Sequence, residues 1–268
     1  VDSTCNDMRI DRWVRLKVGK IPQGLIEKYL RSGKIKINKK KVKSSTKVKT
    51  DDVINSFIVD FKETIVQKKI KFEPSKDIIK SNEDQIIDNN ENFIVLNKSS
   101  GISVQGGTKS KKNLVDIFAK SEIFQGTKPY SVHRLDKETS GLMIIAKNLQ
   151  HTRFFGKLFK SQKLKKTYLA ICDGAPKIKE SYVDLDINSN INEKVIQTNT
   201  FYKLLSYNNK TSLIKFQPKT GKKHQLRIVA KNLGCPIVGD QKYNMNQSNQ
   251  RENLKLNAFK LEFDIEDN

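Results

Sequence analysis

No uninterrupted apolar stretch in this 268-residue chain exceeds five residues, the length of Leu142-Met143-Ile144-Ile145-Ala146 between Gly141 and Lys147. Runs that short suit buried strands, not bilayer spans, which need about 18 or more residues. The core must therefore be assembled from short strands and one-sided helices. Apolar residues make up 36% and charged ones 30%, lean for a globular protein but well clear of a disordered composition. One large domain, or a small one with a medium one, is expected. The start of the sequence shows no apolar leader, and Cys5, Cys172 and Cys235 are odd in number, far apart and without a CxxC pair. A cytoplasmic, reducing setting is expected, with no membrane association and no zinc knuckle.

Charge narrows the partner. The formal net charge is +22, which suits a polyanion, nucleic acid ahead of anionic membrane. Between Met8 and Thr50 there are 15 basic residues and two acidic ones, Asp11 and Glu27. Like charge this dense repels itself unless a partner neutralises it. Only eight of the 51 basic residues are Arg, so Arg9, Arg12, Arg15, Arg31, Arg134, Arg153, Arg227 and Arg251 become positions where a planar, multi-donor cation matters.

Periodicity gives a coarse organisation. Ile10, Trp13, Val14 and Val18 form a helical stripe closed by Gly19. Pro22 opens a second helix carrying Leu25, Ile26, Tyr29 and Leu30, closed by Gly33. Ile35 and Ile37 alternate with lysines, Asn38-Lys39-Lys40 turns, and Val42 to Val48 alternates again, predicting a hairpin. The stretch resembles the S4 RNA-binding domain in Arg9-Ile10-Asp11-Arg12, in Pro22 to Gly33, and in Lys34-Ile35-Lys36-Ile37-Asn38 followed by Val42 and Asp51-Asp52. It departs where Lys39 replaces a usual Gly, so that Lys39 takes a left-handed backbone or the loop is longer. The resemblance implies RNA binding, with Arg9, Arg12, Arg31 and Lys34 as candidate contacts. Polar, Pro74-containing sequence then reads as a linker, giving residues 8–66, a linker 67–84 and a larger domain 85–268.

Several chemistries are excluded. Gly101 to Thr108 has P-loop glycine spacing but places Gly107 where the lysine must stand. His133, His151 and His224 are not spaced as metal ligands, and no Gly-x-Ser-x-Gly elbow occurs. What remains is Ser131 to Lys147, a polar cluster leading into the Leu142–Ala146 strand. Asp136, beside Arg134 and before Thr139-Ser140-Gly141, is placed to be an ordered, partly desolvated carboxylate, and is equally compatible with a turn that caps the strand. Leu226, Ala230 and Leu233 form a helical stripe stopped by Gly234 and Pro236, so Arg227 lies in the first turns of a helix beginning near Lys223.

His133-Arg134-Leu135-Asp136 with Thr139-Ser140-Gly141-Leu142 resembles the central motif of the RluA/RluC/RluD family of pseudouridine synthases, whose Asp is catalytic. Lys166-Thr167-Tyr168-Leu169-Ala170 is similar to the segment whose Tyr packs on the target base. Thr220 to Ile228, with Leu233 to Asp240 and Tyr243, is similar to the segment whose Arg pairs with the Asp. Val229, Cys235 and Ser99-Ser100 are departures. The resemblance implies an α+β fold, a small S4-like helix-hairpin module beside a larger domain built on a mixed, mainly antiparallel sheet. It implies isomerisation of uridine to pseudouridine without cofactor or metal. Asp136 would attack ribose C1′ or assist elimination, an Arg227 partner would lower its pKa, and Tyr168 would stack on uracil and help remove the C5 proton. His133 and Arg134 would fill the vacated stack or hold phosphates. Leu226 would wall the base pocket or serve the core. Large-subunit ribosomal RNA is the expected partner of a monomer. Transfer RNA as substrate, and a non-catalytic RNA-binding or ribosome-assembly factor, are the alternatives.

Overall fold

The computed structural model describes residues 1–19, 21–56, 72–107, 112–188, 195–244 and 252–264. Lys20, Thr108, Arg251 and residues 57–71 lie outside them, and with them the end of the 8–66 module and the start of the 67–84 linker. The chain divides into two units, residues 1–69 and 70–268. Among the described residues no helix is long and apolar enough to cross a membrane.

In the smaller unit, helix α1 (Ile10–Lys17) and helix α2 (Gln23–Ser32) turn Ile10, Val14, Ile26 and Leu30 inward onto Ile35, Ile37 and Val48. Gly33 ends α2 with a left-handed residue. The predicted hairpin is corrected. Strand β1 (Ile35–Ile37) pairs not with Val42–Val48 but with strand β2 (Ile54–Ser56). Asn38 and Lys39 do turn left-handed, at φ 48° and 64°, and one pair of bonds joins Ile37 to Lys40. The Asn38 side chain then accepts from the Val53 N–H at 2.8 Å and donates to Asp52 at 2.7 Å. That clamp draws in the later segment, while residues 42–48 cross over as a loop whose Val48 bonds back to Met8.

The larger unit opens with helix α3 (Lys76–Glu83), inside the span read as linker. Ser75 caps it, its Asn82 is buried, and its Glu83 accepts from Ser121, so this segment belongs to the packed unit. Strands β3 (Ile86–Asn89), β4 (Phe93–Lys98), helix α4 (Leu114–Phe118), β5 (Tyr130–Ser131), β6 (Ser140–Ala146), helix α5 (Leu149–Lys160), β7 (Lys165–Asp173), β8 (Glu180–Asn188), β9 (Val195–Tyr207), β10 (Thr211–Pro218), helix α6 (Gln225–Asn232) and β11 (Leu256–Glu262) follow. They build one sheet in the order β3-β4-β6-β11-β7-β10-β9-β8, with β5 on β6. Every pairing is antiparallel except β11 with β6, as the α+β expectation required.

Strand alternation sorts the core by face. Met143 and Ile145 join Ile94, Leu96 and α4 on one face, and Ile144 joins Phe155 and Leu158 of α5 on the other. A further cluster packs Leu226, Val229 and Ala230 of α6 on Ala170, Ile214 and Phe216, and Tyr168 touches both this cluster and the α4 one.

Candidate active site

Asp136 sits in the loop that feeds β6. Its carbonyl accepts from Thr139 N–H at 3.1 Å, so the turn at the strand mouth is present as well as the carboxylate. Three bonds pin this loop to the end of β4. Gly101 N–H donates to the Lys137 carbonyl at 2.9 Å, Ser100 Oγ to Glu138 at 2.7 Å, and the fully buried Lys98 donates Nζ to Lys137, Ser99 and Ile102 carbonyls at 3.1, 2.9 and 3.0 Å. All three ammonium donors are thereby satisfied. Burial lowers the Lys98 pKa to about 8, opposed by the charges of Glu138 and Asp136. On the far side, β11 approaches Gly141 so closely that a Cβ there would meet the Ala258 carbonyl oxygen at 2.4 Å, and φ is +107°. No other residue type fits.

The second wall is the start of α6. His224 stands before its first turn in a left-handed conformation, φ 56°. Such strain in a non-glycine residue is retained at functional sites more than elsewhere. Its Nε2 lies 3.9 Å from Asp136 Oδ2, and its Nδ1 shares a 3.0 Å hydrogen bond with Tyr243 Oη. Burial lowers the His224 pKa; Asp136 pulls it up, while Arg227, Lys242 and Lys223 push it further down. The imidazole is therefore neutral near pH 7.

Arg227 corrects the pairing that the resemblance implied. Its guanidinium is bidentate not to Asp136 but to the buried Asp240, Nε to Oδ2 at 2.7 Å and Nη2 to Oδ1 at 2.6 Å. Burial works against both charges, yet the pair wins: Arg227 is raised and Asp240 lowered by their mutual bonds, and Asp240 also accepts from the Tyr243 and Lys242 N–H groups. Gly239 makes this possible, since φ is +77° and a Cβ would strike the Asn253 carbonyl at 2.3 Å. The Tyr243 ring lies 5.2 Å from the Arg227 guanidinium carbon. Arg227 thus acts on Asp136 at long range, and through Tyr243 on His224.

Asp136 forms part of the wall between two concavities. One is a narrow cleft of about 90 Å³ lined by Tyr168, Leu226, Thr220, Lys166, Lys222 and Arg227 among others. The other, of about 400 Å³, runs beside Ser103 to Gly107 and Lys137. Arg134, Leu135 and His224 line both. The cleft is below the size of a small-molecule pocket and the larger space within it, about 300–1,000 Å³. Cations outnumber anions around the carboxylate, which suits a phosphate-flanked base. Among the described residues no group of three or more His, Cys, Asp or Glu side chains could hold a metal, and the three cysteines are free and buried.

Other expected residues divide. Leu226 lines the cleft and is 6% exposed, packed in the core under α6. Arg134 is exposed at the rim. His133 is corrected. Its Nε2 accepts the Ile144 N–H at 3.0 Å and its ring stacks on Phe159 at 4.7 Å, continuing the edge of β5 where that strand stops. Burial first, then Lys166, lowers its pKa to about 4. It is a neutral structural acceptor, not a phosphate ligand. Tyr168 is lifted to about 12 by burial and by the charge of Asp136, which removes it as a ready base. In the smaller unit Arg12, Arg31 and Lys34 are exposed, whereas Arg9 is taken by Asp11, Nη2 to Oδ2 at 2.6 Å. Sequence reading gave no role to His224, Tyr243, Asp240 or Lys98. The first three stood inside the quoted motifs, and one of only three histidines next to Gln225-Leu226-Arg227 was a usable signal. Lys98 was one lysine among many, with nothing to mark it.

Residues 92–232 match the family model of RNA pseudouridylate synthase, and residues 8–54 that of the S4 domain. The ribosomal large subunit pseudouridine synthase C of Rickettsia bellii is 40% identical over 253 residues, 88% of this chain and 82% of the relative. That of Buchnera aphidicola subsp. Baizongia pistaciae is 31% identical, covering 94% of this chain and 82% of its own length. Of solved structures, human RNA pseudouridylate synthase domain containing 4 aligns with a TM-score of 0.59 and 26% identity over 68% of this chain and 85% of that one.

Proposed function

This chain belongs to the RNA pseudouridylate synthase family, and on that premise we propose that it isomerises specific uridines of large-subunit ribosomal RNA, with Asp136 as the reacting carboxylate. The observation that carries the reading is the position of Asp136, in a wall shared by a narrow cleft and a wider space bordered by Arg134, Lys137 and Lys223. A uridine inside folded RNA must leave its stack to reach such a cleft, at a cost of a few kcal/mol. The exposed Arg134 and Lys222 and the half-buried Lys166 supply compensating phosphate contacts. Asp136 attacks ribose C1′, or promotes elimination, and the N1 bond to the ribose breaks. The freed uracil turns between Tyr168 and Leu226 and rejoins C1′ through C5, releasing the Asp136 carboxylate wherever it has bonded C1′; the C5 proton passes to solvent and N1 takes up a proton.

Tyr168, holding its own proton, serves as a ring against the base. Neutral His224 and the Arg227–Asp240 pair fix the wall opposite. The reaction exchanges one bond for another within the substrate, with no electron acceptor and no added group, so it needs no cofactor; that the protein works as a cytoplasmic monomer is a separate part of the proposal. Tritium release from large-subunit RNA labelled at uracil C5 tests it. Release by the wild type and none by Asp136→Asn is the expected result. Absence of release from that RNA and from immature ribosomal particles overturns it.

A further inference from the structure

Strand β8 carries an exposed aromatic residue with no part in the cleft. Val183 and Leu185 pack into the core under α6, so Tyr182, one residue before Val183 and out of phase with both, presents to the opposite sheet face, the one that carries α5. It is 59% exposed. Its cross-strand partner is Phe201, with ring centroids 5.2 Å apart. Lys219 Nζ lies 5.3 Å from the Tyr182 ring centre and Lys215 Nζ 5.8 Å from that of Phe201. Tyr182, Phe201 and Lys219, together with Lys165 and Lys166, border a concavity of about 520 Å³ that no acidic residue lines among the described residues. The acids nearby are committed elsewhere, Glu180 to Lys203 at 2.7 Å and Glu262 to Lys260 at 2.9 Å.

Two residues, Lys166 and Pro218, line both this concavity and the Asp136 cleft. The two therefore meet over the ends of β7 and β10. Lys166 is held in place there, its Nζ 3.5 and 3.3 Å from the Lys219 and Thr220 carbonyls.

We propose that this face is a second nucleotide subsite, on which an unpaired base neighbouring the target uridine stacks on Tyr182 while its phosphate meets Lys219 and Lys165. Aromatic rings interleaved with cations are how single strands are held without regard to sequence. A strand whose uridine enters the cleft crosses the shared rim to reach the platform, so the assignment rests on the synthase reading for the identity of that uridine.

The test is photocrosslinking of the whole protein to an oligouridylate of about eight nucleotides, a usual single-strand site size, carrying 5-bromouracil, with the attachment mapped by mass spectrometry. Dissociation constants are measured alongside for wild type, Tyr182→Ala and Tyr182→Phe. Attachment at Tyr182 is expected. Tyr182→Ala should weaken binding about 5- to 150-fold, the fold-change of one lost base stack, and Tyr182→Phe should retain it. Should other basic surfaces dominate the affinity, loss of the attachment site in Tyr182→Ala still reads the subsite. Attachment confined to other surfaces, with equal affinity in all three proteins, overturns it. Tritium release by a wild type that never attaches through Tyr182 leaves the synthase reading standing alone, and attachment at Tyr182 without any release overturns that reading but not the binding face.

Discussion

Burial beside Asp136 keeps the Tyr168 phenol protonated. With a pKa of about 12, about one molecule in 10⁵ carries the phenolate at pH 7. Part of that elevation is the charge of Asp136, so Asp136→Asn should lower the Tyr168 pKa, read by NMR titration of the tyrosine Cζ resonance; an unchanged value would separate the two residues electrostatically. His133 shows burial acting on a cation. Its pKa falls from 6.5 to about 4, so the folded state binds fewer protons than the unfolded one between those values. Stability is complete above pH 6.5 and lost as pH falls toward 4, by up to about 3 kcal/mol. His133→Gln retains an acceptor for Ile144 and cannot titrate. Urea unfolding at pH 7.5 and 5 should show a smaller pH loss in that variant than in the wild type. Sequence marked His133 because it adjoins Asp136; only the position of the Ile144 N–H shows that the ring completes a sheet edge.

At the scale of elements, α6 and the loop after it form one electrostatic unit. Arg227→Met leaves Asp240 buried without its partner and should destabilise the protein by about 3–5 kcal/mol. Arg227→Met with Asp240→Leu should recover much of that loss, because two buried charges are removed together. Chemical denaturation of the two single variants and the double measures the coupling, and an additive result would show that the pair contributes nothing beyond its separate contacts. The helix itself was legible from Leu226, Ala230 and Leu233, and starts at Gln225. The partner of Arg227 was not. Asp136 and Asp240 were both quoted, and the choice between them depends on the left-handed Gly239, which turns Asp240 inward. The misread hairpin has the same cause. Residues 42–48 alternate as a strand should, but Asn38 clamps residues 52–53 and leaves Ile54–Ser56 as the partner of β1.

For the whole molecule, a net charge of +22 predicts RNA affinity that falls steeply with salt. Arg12→Ala and Arg31→Ala, both at exposed positions, should each weaken binding uniformly and reduce the logarithmic salt slope by about 0.7–0.9. Fluorescence anisotropy across a salt series checks this, and unchanged slopes would remove α1 and α2 from the RNA interface. Arg9→Ala should in addition cost stability, since Asp11 loses its bidentate partner. The larger sheet places its last strand, β11, between β6 and β7, so the strand leaving Asp136 is flanked by chain more than a hundred residues later.

The sequence alone determined the helical stripes of α1, α2 and α6 and the basic character, which follow from neighbours within one or two turns of chain, where burial pattern and propensity act directly. The segments that carry Asp136, Tyr168 and Arg227 were marked by their resemblance to a known family. Tertiary structure decided the rest: which carboxylate Arg227 binds, that His133 is neutral and inward, that His224 faces Asp136, and that Lys98 holds the Asp136 loop through the Lys137 carbonyl. Each depends on which distant backbone carbonyl, amide or charge lies within about 3–4 Å of a side chain, and that proximity is created by the packing of strands far apart in sequence.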